Sequence, residues 1–254
     1  LNNLANIYDK QELFAEAVQL YKRSLKIYEK VLGPEHSDVA VSLTNLAHIY
    51  SKQALYNEAE ELYKRSLAII EKILGPENAS IATILTSLAN NYYTQIRYED
   101  AESLYKRVLA LREKTLGPDH SEVGYILSKL GLIYTNQGRY AEAELLSQRA
   151  LVIQEKALGP EHPDLAKSLG RTASMYSKQG LYSEAERLYQ RSHTIFEKAY
   201  GPEHRHVATS LNNIALLYRK LGRYDDAEQL YKKSLKIDEK VFGSEHPKVA
   251  TGLS

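Results

Sequence analysis

The stretch LGPEHSDVA at residues 32–40 decides the fold, because the chain writes it again as LGPENASIA (74–82), LGPDHSEVG (116–124), LGPEHPDLA (158–166), YGPEHRHVA (200–208) and FGSEHPKVA (242–250). Its glycine falls at Gly33, Gly75, Gly117, Gly159, Gly201 and Gly243, always 42 residues on. A period kept without insertion or deletion marks a chain built by stacking one supersecondary unit. Cutting after each loop gives full units at 37–78, 79–120, 121–162, 163–204 and 205–246. Residues 1–36 form a unit lacking its first six positions, and residues 247–254 begin a seventh. The expectation is one continuous solenoid over 1–254, a segment of a longer protein since Leu1 falls inside a unit.

Each unit carries two segments of helical period. In SDVAVSLTNLAHIYSKQ, residues 37–53, Val39, Leu43, Leu46, Ala47 and Tyr50 share one face. In NEAEELYKRSLAIIEKIL, residues 57–74, Ala59, Leu62, Tyr63, Leu67, Ile70 and Leu74 do the same. A short turn joins them (QALY, QGRY, QGLY or LGRY), so each unit reads as helix A, turn, helix B and the glycine loop. The fold class is all-α. The loop glycine is expected to close helix B in a left-handed cap, Pro to forbid continuation, and Ser37, Ser121 and their equivalents to cap the next helix A. Ser183 with Glu186, Asn57 with Glu60 and Asp225 with Glu228 read as capping boxes on helix B. In the A–B turn, glycine stands at Gly138, Gly180 and Gly222 but is replaced by Glu12, Ala54 and Ile96. If those residues keep a left-handed backbone, each costs up to ~1 kcal/mol.

Composition excludes several functions. There are 33 basic and 32 acidic residues, so net charge gives no reason to expect nucleic acid or an anionic membrane as partner. The absence of cysteine removes disulfides and thiolate chemistry, and fits a reducing, cytoplasmic setting. No apolar run approaches the ~20 residues of a membrane span. The loop pairs His36, His120, His162, His204 and His246 with Glu35, Asp119, Glu161, Glu203 and Glu245, which is metal-ligand chemistry. Successive copies belong to neighbouring repeats, however, about 8–10 Å apart, and Asn78 replaces one histidine. A structural role for the loop, with no metal and no cofactor, is the better reading. No catalytic set or phosphate-binding motif is present, so an enzyme is not expected.

Small residues recur in helix A (Ala5, Ala47, Ala89, Gly131, Ala173, Ala215) and early in helix B (Ala17, Ala59, Ala101, Ala143, Ala185, Ala227). Tyrosines end helix A (Tyr8, Tyr50, Tyr92, Tyr134, Tyr176, Tyr218) and follow the turn (Tyr56, Tyr98, Tyr140, Tyr182, Tyr224, with Phe14 first). This L-x-x-(A/G)-x-x-Y … Y-x-x-A pattern resembles the tetratricopeptide repeat. The 42-residue form, with LNNIALLY (211–218), YDDAEQLYKKSLKI (224–237) and the G-P-E-H loop, resembles the repeats of kinesin light chains. Without a sustained heptad pattern, it is similar to bacterial and fungal light-chain-like proteins rather than to a eukaryotic motor subunit. The resemblance implies a right-handed superhelix whose concave groove is lined by helix A and holds partner peptides.

By register with the tyrosine that ends helix A, the resemblance assigns Asn3, Asn6 and Lys10 in the first unit to peptide binding, and Asn45, His48 and Lys52 in the second. It assigns Asn90 and Tyr93 in the third, Lys129 and Asn136 in the fourth, Arg171, Ser174 and Lys178 in the fifth, and Asn213, Arg219 and Lys220 in the sixth. Seven of the groove positions are basic and Asp9 is the one acid among them, so the expected partner is a protein or peptide with acidic residues. Two other functions compete: a ligand-sensing array regulating an attached signalling ATPase or effector, and a solenoid that self-associates end to end through its incomplete terminal repeats.

Overall fold

A computed structural model describes residues 1–243; His246, Glu245 and the start of a seventh unit at 247–254 lie outside the described residues. Among the described residues there are twelve helices and no strand. The helix A members are α1 (Asn2–Lys10), α3 (Ser37–Lys52), α5 (Ile81–Thr94), α7 (Ser121–Asn136), α9 (Pro163–Gln179) and α11 (Arg205–Lys220). The helix B members are α2 (Phe14–Leu32), α4 (Tyr56–Leu74), α6 (Tyr98–Leu116), α8 (Tyr140–Leu158), α10 (Tyr182–Tyr200) and α12 (Tyr224–Phe242). The chain divides into two compact units, Leu1–Gly117 and a second from Pro118 onward. In the first, each helix packs on the next from α1 to α6, and α3 also meets α5. In the second the same order runs from α7 to α12, with α7 against α9 and α9 against α11. Helix A of one repeat therefore lies beside helix A of the next within each unit.

The small residues let the paired helices approach. Ala5, Ala17, Ala47, Ala59, Ala89 and Ala101 are fully buried, as are Ala143, Ala173, Ala185 and Ala215. The tightest pair is α7 with α8: a methyl on Gly131 would sit 2.7 Å from Ser147 Oγ, and one on Gly124 would sit 2.7 Å from Gln154 Cγ and 3.1 Å from the Ala150 carbonyl. Large side chains fill the layer between repeats, Tyr21, Tyr63 and Tyr105 in the first unit and Leu127, Leu165 and Leu169 in the second.

Helix A ends in a Schellman motif. The amide of Leu13 donates to the Tyr8 carbonyl (2.9 Å) and that of Glu12 to the Asp9 carbonyl (3.0 Å); Leu55, Arg97, Arg139, Leu181 and Arg223 donate likewise to Tyr50, Tyr92, Tyr134, Tyr176 and Tyr218. The motif needs a left-handed residue, and Glu12, Ala54 and Ile96 adopt it at φ 59°, 61° and 63°. The strain expected from the sequence is therefore present.

Three local expectations are corrected. The loop glycine is not in the left-handed helical region: Gly33 has φ 89° and ψ 158°, and Gly201 has φ 80° and ψ 163°. That extended, positive-φ region is essentially closed to residues with a Cβ. Serine does not cap helix A. The N-caps of α3, α7, α9 and α11 are His36, His120, His162 and His204, whose Nδ1 accepts the amide two residues on at 3.1–3.2 Å. Asn78 makes the equivalent bond with its side-chain oxygen, 2.9 Å from the Ser80 amide, although α5 starts only at Ile81. Finally, the capping boxes on helix B do not form, since α4, α10 and α12 start at Tyr56, Tyr182 and Tyr224 with no side-chain cap bond.

Two glutamates of those supposed boxes, Glu60 and Glu186, and their equivalent Glu144 work between repeats instead, while Glu228 pairs with Lys232 in its own helix. Glu60, Glu144 and Glu186 accept the hydroxyls of Tyr92, Tyr176 and Tyr218 at 3.0, 3.0 and 2.7 Å. Arg97, Arg139 and Arg223 lie over the rings of Tyr92, Tyr134 and Tyr218 at 4.1, 3.7 and 3.7 Å. The loop acids are used in the same way: Glu35 pairs with Lys72 (2.5 Å), Glu77 with Lys114 (2.5 Å), Asp119 with Lys156 (3.2 Å), Glu161 with Lys198 (2.5 Å) and Glu203 with Lys240. In the described loops the glycine, the acid and the histidine thus each have a structural task.

Candidate functional site

The face made by successive A helices carries the residues singled out by register. In the first unit several of them serve the fold. Asn6 accepts the hydroxyl of Tyr21 (2.5 Å) and Asn90 that of Tyr105 (2.7 Å), so two of the asparagines anchor the buried tyrosine of their own helix B. Lys52 donates to Asp9 across α1 and α3 at 2.6 Å, which neutralises it. His48 lies near that pair. Tyr93 packs its ring 5.7 Å from Tyr98. Asn3 and Lys10 are exposed on α1, and Asn45 is half-buried on α3.

The second unit is different. Lys129 on α7 and Arg171 on α9 both approach the ring of Tyr125, 5.6 and 5.7 Å from its centre. Arg171 donates to Ser128 Oγ at 3.1 Å, which ties α9 to α7. Lys167, one helical turn before Arg171, adds a third cation and pairs with Asp164 at 2.8 Å. Burial pushes Lys129 down to about 8, with Arg171 and then Lys167 adding to the shift. Three cations thus gather on adjoining A helices, one of them half-desolvated. Such crowding favours an incoming anion, which relieves the repulsion.

Beside this cluster lies a cavity of about 320 Å³ wholly within the second unit. Arg171, Ser174 and Asn213 all face it, together with Lys167, His206 and the apolar Leu132 and Phe196. Ser174 is also bonded to the buried Tyr189 hydroxyl. Further along the A helices a separate polar rung forms: Lys178 donates to Asn136 (2.5 Å) and Lys220 to Ser177 (3.2 Å). Arg219 is exposed beside Lys220. The structure therefore brings Lys129, Arg171, Ser174 and Asn213 together, and assigns Asn6, Asn90 and Lys52 to internal bonds.

Tyr125, Lys167 and Gly170 were not selected from the sequence, and neither was His206. The signal for two of them was present. Tyr125 and Lys167 stand four residues before Lys129 and Arg171, on the same helical face. Asp164 is a second acid at this face, so the excess of cations is smaller than register alone suggests.

A stack of antiparallel helix pairs with a polar face on helix A is a repeat scaffold. Matches to the tetratricopeptide repeat run over residues 1–72, 38–114, 80–151, 122–198, 169–240 and 206–254, and the chain belongs to that family. It is similar to the solved structure of BtubC (BKLC) from P. vanneervenii, at 17% identity over 92% of this chain and 94% of that one, with a TM-score of 0.71. It is also similar to the nearly identical TPR-like repeats of a putative kinesin light chain from Podospora anserina, at 28% identity over 82% and 98% of the two chains, TM-score 0.63. PilF from Pseudomonas aeruginosa matches at 19% identity over 98% and 93%, TM-score 0.58. No curated protein matches the sequence. Its solved neighbours include kinesin light chain-like tetratricopeptide proteins, and the tetratricopeptide fold it shares with them is a scaffold for protein–protein contact. Among the described residues no helix is long and apolar enough to cross a membrane.

Proposed function

We propose that the chain binds acidic peptide segments along its helix A face, with Lys129, Lys167 and Arg171 as the main anchor. One observation carries this reading: Lys129 and Arg171 converge on Tyr125 from α7 and α9 with Lys167 close by, and burial with these neighbours holds Lys129 down to about 8. A buried, crowded cation costs stability, and a carboxylate would offset that cost through charge-assisted bonds. Ser174 and Asn213, which line the adjoining cavity, supply neutral bonds for a peptide backbone.

A labelled acidic peptide titrated by fluorescence anisotropy tests the proposal, with a charge-reversed peptide as control. Saturable binding that weakens as salt rises, and fails for the control, is expected. Equal binding of both peptides, or none up to millimolar protein, would remove it.

A further inference from the structure

The cavity of the second unit owes its depth to a glycine that the fold does not require. Gly170 stands in the middle of α9, where glycine is the least favourable residue after proline. Its backbone is helical and not left-handed, and a methyl there would meet only Ser192 Oγ, at 3.7 Å. Gly124 and Gly131, by contrast, are demanded by close packing. The other repeats show what belongs at this place. Thr44 occupies it in the second repeat, and its hydroxyl bridges to Ser66 of helix B at 2.8 Å. Ser192 is the counterpart of Ser66, and it bonds the Ala166 carbonyl at 2.7 Å as Ser66 bonds that of Ala40. The serine, its carbonyl bond and the surrounding helices are kept. Only the side chain that closes the gap is missing.

What the gap offers is two-sided. Leu132 and Phe196 give it apolar walls, and the Phe196 ring lies 5.2 Å from that of His206, nearly parallel to it. Arg171 and Lys167 give it a cationic rim, with Asn213 as a neutral donor. The volume of about 320 Å³ is at the low end for ligand pockets, suited to one large side chain. An aspartate or glutamate reaches the rim but leaves the apolar walls bare. A plain aromatic ring covers the walls and makes no use of the cationic rim.

We propose that the cavity over Gly170 receives a phosphotyrosine of the bound peptide, its ring against Phe196 and Leu132 and its phosphate at Arg171 and Lys167. The guanidinium fork matches phosphate oxygens in geometry as well as charge. The phosphate displaces the Asp164 carboxylate from Lys167, a surface pair worth little on its own. The inference rests on the acidic-peptide reading above and adds a residue-specific subsite to it.

The test uses the full chain and one acidic peptide in three forms, with a central tyrosine, phosphotyrosine or phosphoserine. Phosphotyrosine is expected to tighten binding about tenfold over tyrosine, and phosphoserine by less than about threefold. In Gly170→Thr, which restores the residue of the second and third repeats, the phosphotyrosine advantage collapses to within about twofold while the melting temperature rises. His206→Asn, at the rim, gives a smaller loss and serves as a second variant. Equal gains for phosphoserine and phosphotyrosine would overturn the inference in favour of charge alone, and so would an advantage that survives in Gly170→Thr. Free phenyl phosphate binding as tightly as the phosphopeptide would overturn a peptide-borne source. If the unphosphorylated acidic peptide fails to bind at all, the parent reading has fallen first.

Discussion

The two units meet the same backbone demands with different residues. Every described A–B turn is left-handed, yet the first unit places Glu12, Ala54 and Ile96 there while the second places Gly138, Gly180 and Gly222. The conformation is imposed by closing helix A in a Schellman motif before helix B folds back, and the residue merely tolerates it. Ile96 is the extreme case, a β-branched residue at φ 63° and 71% exposed, with no packing to compensate it. The helix A faces diverge too. Asn6 and Asn90 hold Tyr21 and Tyr105 in the first unit. In the fourth repeat the helix B tyrosine is replaced by Ser147, its asparagine counterpart by Leu132, and that leucine becomes a wall of the cavity. The position that anchors the helix B tyrosine in the first unit thus becomes an apolar cavity wall in the fourth repeat, while Ser174 keeps the bond to Tyr189 in the fifth.

The largest expected effect is one the units should share. Gly75→Ala in the first and Gly201→Ala in the second each put a Cβ into the extended positive-φ region, with φ 84° and 80°. Nothing lies within 4 Å of either added carbon, so the loss is backbone strain alone, about 1–3 kcal/mol in each. Denaturant midpoints of the two variants should fall alike. A loss at one site without the other would show that the units differ in more than their turns and groove residues.

Binding should separate them. Arg171→Gln is expected to weaken an acidic peptide about tenfold, and Lys52→Gln by less than about twofold, because Asp9 already neutralises Lys52. Equal losses would spread the site over both units. The Lys129 ammonium sharpens the point. Its proton is held less tightly than usual, down to about 8, and a bound carboxylate raises that value. Binding therefore takes up a proton near pH 8, and affinity falls as pH rises through it. Calorimetry in buffers of different ionisation enthalpy measures the uptake directly; none at pH 8 would remove Lys129 from the interface.

Exchanging the turn residues should move stability in opposite directions. Ile96→Gly is expected to stabilise the chain by about 1 kcal/mol, Ala54→Gly by less, and Gly180→Ala to destabilise it by a similar amount. Thermal melts decide it, and a loss of stability in Ile96→Gly would mean the isoleucine has a contact that outweighs its strain.

The turn strain was legible because six copies of one position could be compared within one chain. The same comparison gave the helix pairs and the small-residue seams. It failed where a residue's partner lies one repeat away. Glu186 and Ser183 fit a local capping box by spacing, but the carboxylate is drawn to Tyr218 and Arg223 of the next repeat, which a single-repeat reading does not see. Lys52 looked like a groove cation for the same reason, since Asp9 sits on the neighbouring helix A. Gly170 was passed over because a missing side chain leaves no mark in a list of polar positions. It becomes visible only when the packing shows that nothing there forbids a larger residue.

The smallest expected effect concerns the helix caps, where the units again differ by one residue. Helices α3, α7, α9 and α11 are capped by histidine, and the loop before α5 uses Asn78. The asparagine oxygen sits closer to its amide, 2.9 Å against 3.2 Å for His120, yet α5 begins at Ile81, two residues later in register than α7 does at Ser121. The shorter side chain turns the backbone before the helix rather than at its first residue. His120→Ala should cost about 0.5–1 kcal/mol by leaving the Glu122 amide unanswered, while His120→Asn keeps an acceptor and costs less. Asn78→His should lengthen α5 back to Ala79, with the Ala82 amide moving from the Ala79 carbonyl to that of residue 78, as the Ala40 amide bonds the His36 carbonyl, a change read from through-hydrogen-bond couplings by NMR. If α5 keeps its late start in that variant, the delay belongs to Ala79 and Ser80 rather than to the cap.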